Sequence, residues 1–255
     1  GAISSIKASE IQNKPFTSID QALVGKAAGV NVTQNSGTPG GGISVQIRGI
    51  TSINGNEPLY VIDGTPIFAD KNNDSFAFST LGGGNGQTKN SALSSLNTSD
   101  IESIDILKDA SATAIYGANG ANGVVLITTK KGKKGKSTVA YETYMGSQQV
   151  TNFVDVLDLP QYAKYQTKIF TLSGEPIPFQ YQKPELLGKG TDWQDELFRT
   201  ALMYNHQLSF SGEKEGTRYY TSLNYFNQDG VVLNSGFDRM SMRVNIDTNV
   251  KSWLK

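Results

Sequence analysis

The chain contains no cysteine and a single histidine, His206. Without cysteine it forms no disulfide and offers no thiolate to a metal. His206 stands at an apolar position of an alternating run, and no second histidine or matching serine–aspartate pair surrounds it, so neither a hydrolytic triad nor a histidine metal site is predicted. We interpret it as an outward or interfacial side chain. We expect no enzyme activity, no bound metal and no cofactor.

The sequence also lacks excess charge and long apolar runs. Lysine and arginine number 23, as do aspartate and glutamate, so charge gives no argument for nucleic acid as a partner. No apolar run reaches the roughly 20 residues that a transmembrane helix needs. Any membrane role must therefore use strands. No signal-peptide pattern begins at Gly1, so we expect that a leader was removed or that the sequence starts inside a longer protein.

Two groups of charged residues have both a functional and a structural interpretation. The pairs Asp155/Asp158 and Asp192/Asp195 suit calcium binding or acid–base chemistry, but their spacing equally suits helix N-termini, which we favour. The five lysines in residues 130–136 suit lipid or nucleic-acid binding. A solvated connector is the interpretation we favour for them. Two short helices are predicted close to the aspartate pairs, over residues 159–170 and 192–199.

The most strongly patterned stretch covers residues 98–132. Ser99 followed by Glu102 predicts a capping box, after which alternating isoleucines predict a half-buried strand. Alanine-rich residues 110–116 predict a short helix that ends at a glycine. The β-branched run 124–129 predicts a strand that is buried on both faces.

The preceding part of the chain predicts further short strands. Residues 43–48 alternate between apolar and polar side chains, and residues 59–62 form an apolar run that Asp63-Gly64 turns back. The polar, glycine-containing segment 68–97 is long for a loop in a compact domain, and loops of this length are more often functional than merely connecting.

After residue 136 the pattern changes to long alternating strands. Strands of about 9 to 11 residues with one apolar and one polar face are typical of transmembrane β-barrels. Because such barrels begin at about eight strands, we expect the chain to be part of a longer protein. The four alternating runs cover residues 138–149, 205–212, 218–228 and 238–250.

Several segments carry a family resemblance. Residues 100–117, 47–50 and 58–67 resemble signature segments of the plug domain of TonB-dependent outer-membrane receptors, in the SusC/RagA branch typical of Bacteroidetes. Residues 191–200 and 205–212 resemble the start of the barrel in SusC-like proteins. The first of these segments is long and nearly ungapped, so the resemblance is specific.

The resemblance implies a fold and a set of partners. We expect an α+β plug domain over residues 1–135, followed over residues 136–255 by antiparallel β-strands of an incomplete transmembrane β-barrel. The implied location is the cell outer membrane, with the plug facing the periplasm. The implied partners are TonB, which binds a segment upstream of this chain, and a SusD-like lipoprotein; the implied cargo is an oligosaccharide or a peptide.

The resemblance also suggests site residues. In the family the arginine equivalent to Arg48 tends to lie against acidic side chains of the barrel wall, although on a polar strand face Arg48 can also be simply a solvent-facing cation. The candidates for fastening the plug are Arg48, Glu102, Lys108 and Asp109. The candidates for a substrate-facing loop are Phe76, Phe78 and Asn85.

A second reading of the sequence is a stand-alone periplasmic or surface ligand-binding module. It requires that aromatic side chains of the later strands be buried in a small core rather than exposed to lipid. The side chains that distinguish the two readings are Phe210, Tyr219 and Tyr225.

Overall fold

The computed structural model describes residues 3–11, 19–34, 37–41, 43–47, 49, 57–67, 93, 96–135 and 137–248. Its first half contains β1 (Ile3–Lys7), α1 (Ala8–Ile11), α2 (Ile19–Ala22), β2 (Val30–Gln34), β3 (Ile43–Ile47), β4 (Leu59–Ile62) and β5 (Thr65–Ile67). These are followed by a 3₁₀ turn (Thr98–Asp100), β6 (Ile101–Leu107), α3 (Ala110–Thr113), a second 3₁₀ segment (Ala114–Gly120) and β7 (Val124–Thr129).

A five-stranded mixed sheet forms the centre of this half, in the order β1-β6-β7-β4-β5. Strands β4 and β7 are parallel, whereas β6 is antiparallel to both of its neighbours. The isoleucines that alternate along β6, Ile104 and Ile106, are fully buried, as are Val125 and Ile127 of β7. Burial of each such side chain contributes roughly 1.5–3 kcal/mol to stability. The predicted strands at 59–62 and 124–129 are confirmed.

The capping box predicted for Ser99 and Glu102 is wrong. The residue that caps the 3₁₀ turn is Asn97, whose side chain accepts a hydrogen bond from the Ser99 backbone N–H at 3.1 Å. The turn lasts only three residues, so Glu102 already lies in extended backbone on β6, with its side chain exposed. From there a side chain cannot reach back to a helix N-terminus.

The second half contains four long strands, namely β8 (Thr138–Gln148), β9 (Ala201–Lys214), β10 (Thr217–Asp229) and β11 (Gly236–Thr248). They form one sheet in the order β11-β10-β9-β8, which within the described residues is open rather than closed into a barrel. Strands β9 and β10 are antiparallel and are joined by a tight turn at Glu215 and Gly216, which both have positive φ. The predicted α+β domain followed by antiparallel strands is confirmed.

The two faces of this sheet differ as the alternation predicts. On β11 the side chains of Met242 and Ile246 are 68% and 64% exposed. On the opposite face, Asn205, Gln207 and Asn224 are buried. The sheet therefore has one apolar, exposed face and one polar face that is covered by protein.

The chain divides into two compact units, of which the second consists of residues 147–202 and 229–235. This unit contains α4 (Leu159–Ser173), two 3₁₀ turns (Phe179–Tyr181 and Pro184–Leu186) and α5 (Trp193–Leu197). Asp158 caps α4 in a complete capping box with Gln161, and Asp192 caps α5. The interpretation as helix N-terminal residues is confirmed for Asp158, Asp192 and Asp195, whereas Asp155 lies in non-helical chain before the N-cap of α4. Among the described helices, none is long and apolar enough to cross a membrane.

The first unit contains both the mixed sheet and most of the four long strands, because it comprises residues 1–146, 203–228 and 236–255. The predicted division into domains at residue 135 stays a prediction.

Candidate functional site

A carboxylate in the turn between β4 and β5 holds the end of β7. Asp63 and Gly64 have φ values of 49° and 86°, as a two-residue hairpin turn with positive φ at both positions requires. Because β4 runs parallel to β7, this turn lies beside the last residues of β7. Asp63 accepts hydrogen bonds from the Thr129 backbone N–H at 2.9 Å and from Thr129 Oγ1 at 2.6 Å. Both carboxylate oxygens of Asp63 therefore accept hydrogen bonds from Thr129.

A second carboxylate, Asp100, ends the 3₁₀ turn before β6 and is 4% exposed. Its Oδ1 accepts hydrogen bonds from Gln207 Nε2 at 2.9 Å and from the Tyr220 hydroxyl at 2.8 Å. Gln207 Oε1 in turn accepts from Asn97 Nδ2 at 2.6 Å. Two side chains on the polar face of β9 and β10 thus meet two side chains of the N-terminal half.

Two residues of β11 extend this contact. Arg243 Nη1 donates to Thr129 Oγ1 at 3.3 Å and lies 3.6 Å from Asp63 Oδ2. Its Nε lies 4.0 Å from Asp100 Oδ2, so one guanidinium faces two carboxylates. Asn245 Nδ2 donates to the Lys130 carbonyl at 2.8 Å. The end of β7 is therefore contacted by β11 as well as by the Asp63 turn.

We call this set of contacts the polar seam. Each of its hydrogen bonds contributes about 0.5–1.5 kcal/mol net, because water competes for the same groups. The seam therefore joins two surfaces by many modest interactions that water can replace. Its residues are Asp63, Asp100 and Thr129 on the N-terminal half and Gln207, Tyr220, Arg243 and Asn245 on the strands.

A further contact lies at the other end of β11. Arg239 Nη1 donates to the Leu96 carbonyl at 2.9 Å, and the guanidinium lies 5.3 Å from the centre of the Phe226 ring. Phe226 packs against Phe237 with ring centres 6.2 Å apart. A Cβ added at Gly40 would overlap the Phe237 ring, so glycine lets this loop approach the strand closely.

The connector to β8 also touches the strands. A Cβ on Gly132 would lie 2.5 Å from the Tyr219 backbone nitrogen, so at this position the connector lies directly against the β10 backbone. Farther along, Ser137 Oγ and the Tyr219 hydroxyl share a hydrogen bond of 2.6 Å. The connector lysines at 131, 133 and 134 are exposed, as expected for a solvated connector.

The structure brings few of the sequence-predicted site residues to the seam. Lys108 Nζ donates to the Ala28 carbonyl at 2.6 Å, within the N-terminal half. Glu102 and Asp109 are exposed, and Asp109 is the N-cap residue of α3. The candidates outside the described residues are Arg48, Phe76, Phe78 and Asn85. The fastening and loop roles stay predictions.

The sequence analysis did not identify Asp63 and Asp100 as contact residues, and for their partners it predicted only alternating strands. Arg243 and Asn245 stand at polar positions of the alternating run 238–250, and this is the one signal in the sequence that predicts where they face. Asp63 and Asp100 lie in turns, where an acid is ordinary and predicts no contact.

Side chains on the outer face of the sheet distinguish the two readings of the sequence. His206 is exposed and shares hydrogen bonds with the Tyr141 hydroxyl at 2.7 Å and with Thr143 Oγ1 at 3.1 Å. The prediction of an outward histidine is confirmed. Tyr225 and Phe210 are 42% and 38% exposed, whereas Tyr219 is half-buried. A stand-alone module would bury all three, so the exposure of Tyr225 and Phe210 argues against that interpretation.

Comparison with known proteins identifies relatives along the whole chain. Residues 1–124 match the family model "TonB-dependent Receptor Plug Domain". The chain is 39% identical over 259 residues to TonB-dependent receptor P26 of Formosa agariphila, which covers 100% of this chain and 24% of that protein. It is also 39% identical over 248 residues to TonB-dependent receptor SusC of Bacteroides thetaiotaomicron, covering 96% of this chain and 22% of that protein.

A solved structure supports the same family assignment. The chain is similar to a chain of the RagAB peptide transporter, with a TM-score of 0.80, 29% identity, and coverage of 99% of this chain and 29% of that chain. The relatives are receptors and transporters rather than enzymes. The five-stranded sheet is thus part of a plug domain, and we call the long antiparallel strands that follow it the wall strands. The chain belongs to the SusC/RagA-type TonB-dependent receptors of the outer membrane.

Proposed function

We propose that this chain supplies the plug and the first wall strands of an importer for oligosaccharides or peptides. The import is energised through TonB and assisted by a SusD-like surface lipoprotein. The similarity to SusC and to the RagAB peptide transporter supports this assignment. The chain spans less than a quarter of the length of SusC and of receptor P26, so the activity belongs to the whole receptor.

The height of the outer apolar face supports a membrane position for the strands. On β11 this face runs from Asp238, which accepts from Asn227 Nδ2, to Thr248, which shares a hydrogen bond with Thr217. The ten residue-to-residue steps between them, at roughly 3.4 Å each and tilted by about 45°, span about 24 Å. Outer-membrane barrels carry an apolar band about 25 Å tall. The polar residues at both ends match the two edges of such a band.

The polar seam is the observation that supports a gating role for the plug, in which the plug closes the receptor at rest and separates from the wall strands during import. It joins plug to wall through hydrogen bonds and one shared arginine instead of a continuous apolar core. When the plug moves away from the wall, water can occupy every donor and acceptor that is released. A contact of this kind holds the plug in place at rest and lets it separate at moderate cost when it is pulled from the periplasm.

The experiment is to tie the seam covalently in the complete receptor. The chain has no cysteine, so Thr129→Cys combined with Asn245→Cys introduces the chain's first thiol pair. The two side chains are in direct contact, with Asn245 Nδ2 3.2 Å from Thr129 Oγ1. We expect the oxidised receptor to lose uptake of its oligosaccharide or peptide cargo in cells with functional TonB, and reduction to restore it.

The matched control is Ser209→Cys combined with Ser222→Cys. These residues are direct partners on β9 and β10 and join two wall strands without tying the plug. Uptake through the control should not respond to oxidation. Undiminished uptake through the tied plug would refute release at the seam, and uptake that is independent of TonB in both receptors would refute the importer assignment.

The residues suggested by the resemblance keep their proposed roles. Arg48 is a proposed fastening cation, together with Glu102, Lys108 and Asp109. Leakage of large antibiotics through an Arg48→Ala receptor would support this role, and unchanged permeability would remove it. Phe76, Phe78 and Asn85 remain proposed contacts for the cargo; alanine at each position should raise the cargo concentration needed for half-maximal uptake.

A further inference from the structure

The connector between β7 and β8 carries a run of positive charge that nothing in the polar seam uses. Residues 130–136 contain five lysines and no acidic residue. Lys131, Lys133 and Lys134 are exposed, and none of the three forms an ion pair with an acid that the structure describes. We call these three side chains the connector lysines. Their charge is available to an anionic partner.

The connector is fixed to the wall strands at both of its ends. Where it begins, the Lys130 carbonyl accepts a hydrogen bond from Asn245 Nδ2 at 2.8 Å on the polar face of β11. Gly132 then lies against the backbone of β10 at Tyr219. Where it ends, Ser137 Oγ and the Tyr219 hydroxyl share a hydrogen bond of 2.6 Å. The connector lysines are therefore held at one edge of the wall strands.

This edge is also where the outer apolar face of the strands ends. Thr217, which shares a hydrogen bond with Thr248 at the end of that face, is two residues from Tyr219. The Tyr220 hydroxyl donates to Asp100 on the polar face, so the neighbouring Tyr219 side chain lies on the outer face. Tyrosine is enriched where the hydrocarbon of a membrane meets its headgroups. The connector lysines thus lie at the level of the headgroups.

The tight turn at Glu215 and Gly216 indicates which side of the membrane this edge faces. The connections at the opposite ends of the strands, residues 149–200 and 230–235, are longer. Short turns of outer-membrane barrels lie on the periplasmic side and long loops lie outside. The periplasmic leaflet of an outer membrane is built of phospholipids, whose headgroups carry phosphate. The anion nearest to the connector lysines is therefore a lipid phosphate.

Other charged side chains at this edge add to the positive potential. Lys214 and Arg218 are exposed on either side of the tight turn, with the exposed Glu215 between them, and Asp247 is exposed near the end of β11. With the connector lysines, these exposed residues make five cations and two acids. Such a surface attracts anionic headgroups more strongly than zwitterionic ones.

We propose that the connector lysines, Lys131, Lys133 and Lys134, bind phospholipid headgroups of the periplasmic leaflet, with a preference for anionic lipids such as phosphatidylglycerol. A lysine side chain lays its apolar stem along the hydrocarbon boundary while its ammonium group reaches the phosphate. The contact keeps the junction between plug and wall strands at the membrane surface when the rest of the plug is pulled. This proposal rests on the membrane position of the strands and is independent of the cargo.

The first test measures lipid retention by the complete receptor, purified in detergent and examined by native mass spectrometry. The probes are phosphatidylglycerol and phosphatidylethanolamine, which share a phosphate and differ in net charge. We expect the receptor to retain phosphatidylglycerol more tightly. Lys131→Gln combined with Lys133→Gln and Lys134→Gln should weaken this retention about fivefold or more, because each lysine near an anionic surface favours binding by about that factor.

The matched control neutralises three exposed lysines of the second unit, with Lys164→Gln, Lys168→Gln and Lys183→Gln. It removes the same charge from another part of the chain, so retention of phosphatidylglycerol should not change. All six lysines are exposed, so both triple variants should fold and assemble. Added salt should weaken retention by the unmodified receptor, since it screens the charges.

The second test locates the contact in living cells. A photo-crosslinking amino acid replaces Lys134 in the complete receptor, and mass spectrometry of the modified peptide gives the mass of the joined molecule. We expect a phospholipid. The same amino acid in place of Lys183 is the control and should join no phospholipid.

Several results would overturn the proposal. Equal retention of the two lipids, or equal retention of phosphatidylglycerol by the receptor and the connector variant, would leave the lysines as a purely solvated connector. A crosslink from position 134 to a protein alone, or no phospholipid adduct, would also refute it. Neither measurement involves uptake, so these results are independent of the importer assignment.

Discussion

Arg243 on the wall lies between two carboxylates of the plug, with Nη1 3.6 Å from Asp63 Oδ2 and Nε 4.0 Å from Asp100 Oδ2. The two acids come from different turns, one after β4 and one before β6. Arg243 therefore ties two separate parts of the plug to a single wall strand. This arrangement makes the arginine the central residue of the polar seam.

Arg243→Met should loosen the plug, because two neighbouring carboxylates lose their shared cation while the wall keeps its shape. Loss of a partner from a partly buried charged group costs about 1–3 kcal/mol. We expect cells with the variant receptor to admit large antibiotics such as vancomycin, measured as a lower inhibitory concentration. Met240→Leu on the outer face of the same strand is the control. An equal inhibitory concentration for both variants would contradict the central role of Arg243.

Tyr220→Phe should destabilise the seam without changing the shape of the ring. The substitution removes the hydroxyl that donates to Asp100 at 2.8 Å, so a buried carboxylate loses one of its donors. The expected loss of stability is about 1–3 kcal/mol, seen as a lower unfolding temperature of the purified receptor. Tyr225→Phe, at an exposed position of the same strand, should have little effect. Similar losses for the two variants would argue against the Asp100 contact.

Met242→Arg should impair membrane assembly. Met242 lies near the middle of the outer apolar band, where an arginine costs about 2–4 kcal/mol, falling to about 0–1 kcal/mol near the edges. Thr248→Arg lies at the edge and is the matched control. The measurement is the fraction of receptor that shows heat-modifiable mobility in outer-membrane preparations. Equal assembly of the two variants would mean that the face or the depth is assigned wrongly.

Gly132→Ala should prevent the connector from lying against β10. The added Cβ would be 2.5 Å from the Tyr219 nitrogen, and a backbone atom of a paired strand cannot move aside as a flexible side chain can. We expect a large loss of folded receptor and an increase in its degradation. Lys131→Ala, at the exposed neighbouring position, should assemble normally. Normal assembly of the glycine variant would show that the connector can take another path.

Local patterns were enough to predict the central strands of the plug. Alternating isoleucines identified β6, and a β-branched run identified β7, because period-two burial depends only on which face meets the core. The acids that cap α4 and α5 were also interpreted correctly, because a capping hydrogen bond joins residues within one turn of the chain. The predicted capping box at Ser99 does not form because the Asn97 side chain accepts the hydrogen bond from the Ser99 backbone N–H, which the Glu102 side chain would accept in a capping box.

What the sequence determined by itself is the α+β plug, the alternating strands and their apolar outer face, since each follows from contacts between residues close in the chain or from one buried side of an element. What only the tertiary structure decided is which polar side chains meet. Asp100 and Tyr220 are 120 residues apart, and Asp63 and Arg243 are separated even further along the chain. Hydrogen-bond partners at such distances depend on how the plug lies against the wall, and no local periodicity carries that information.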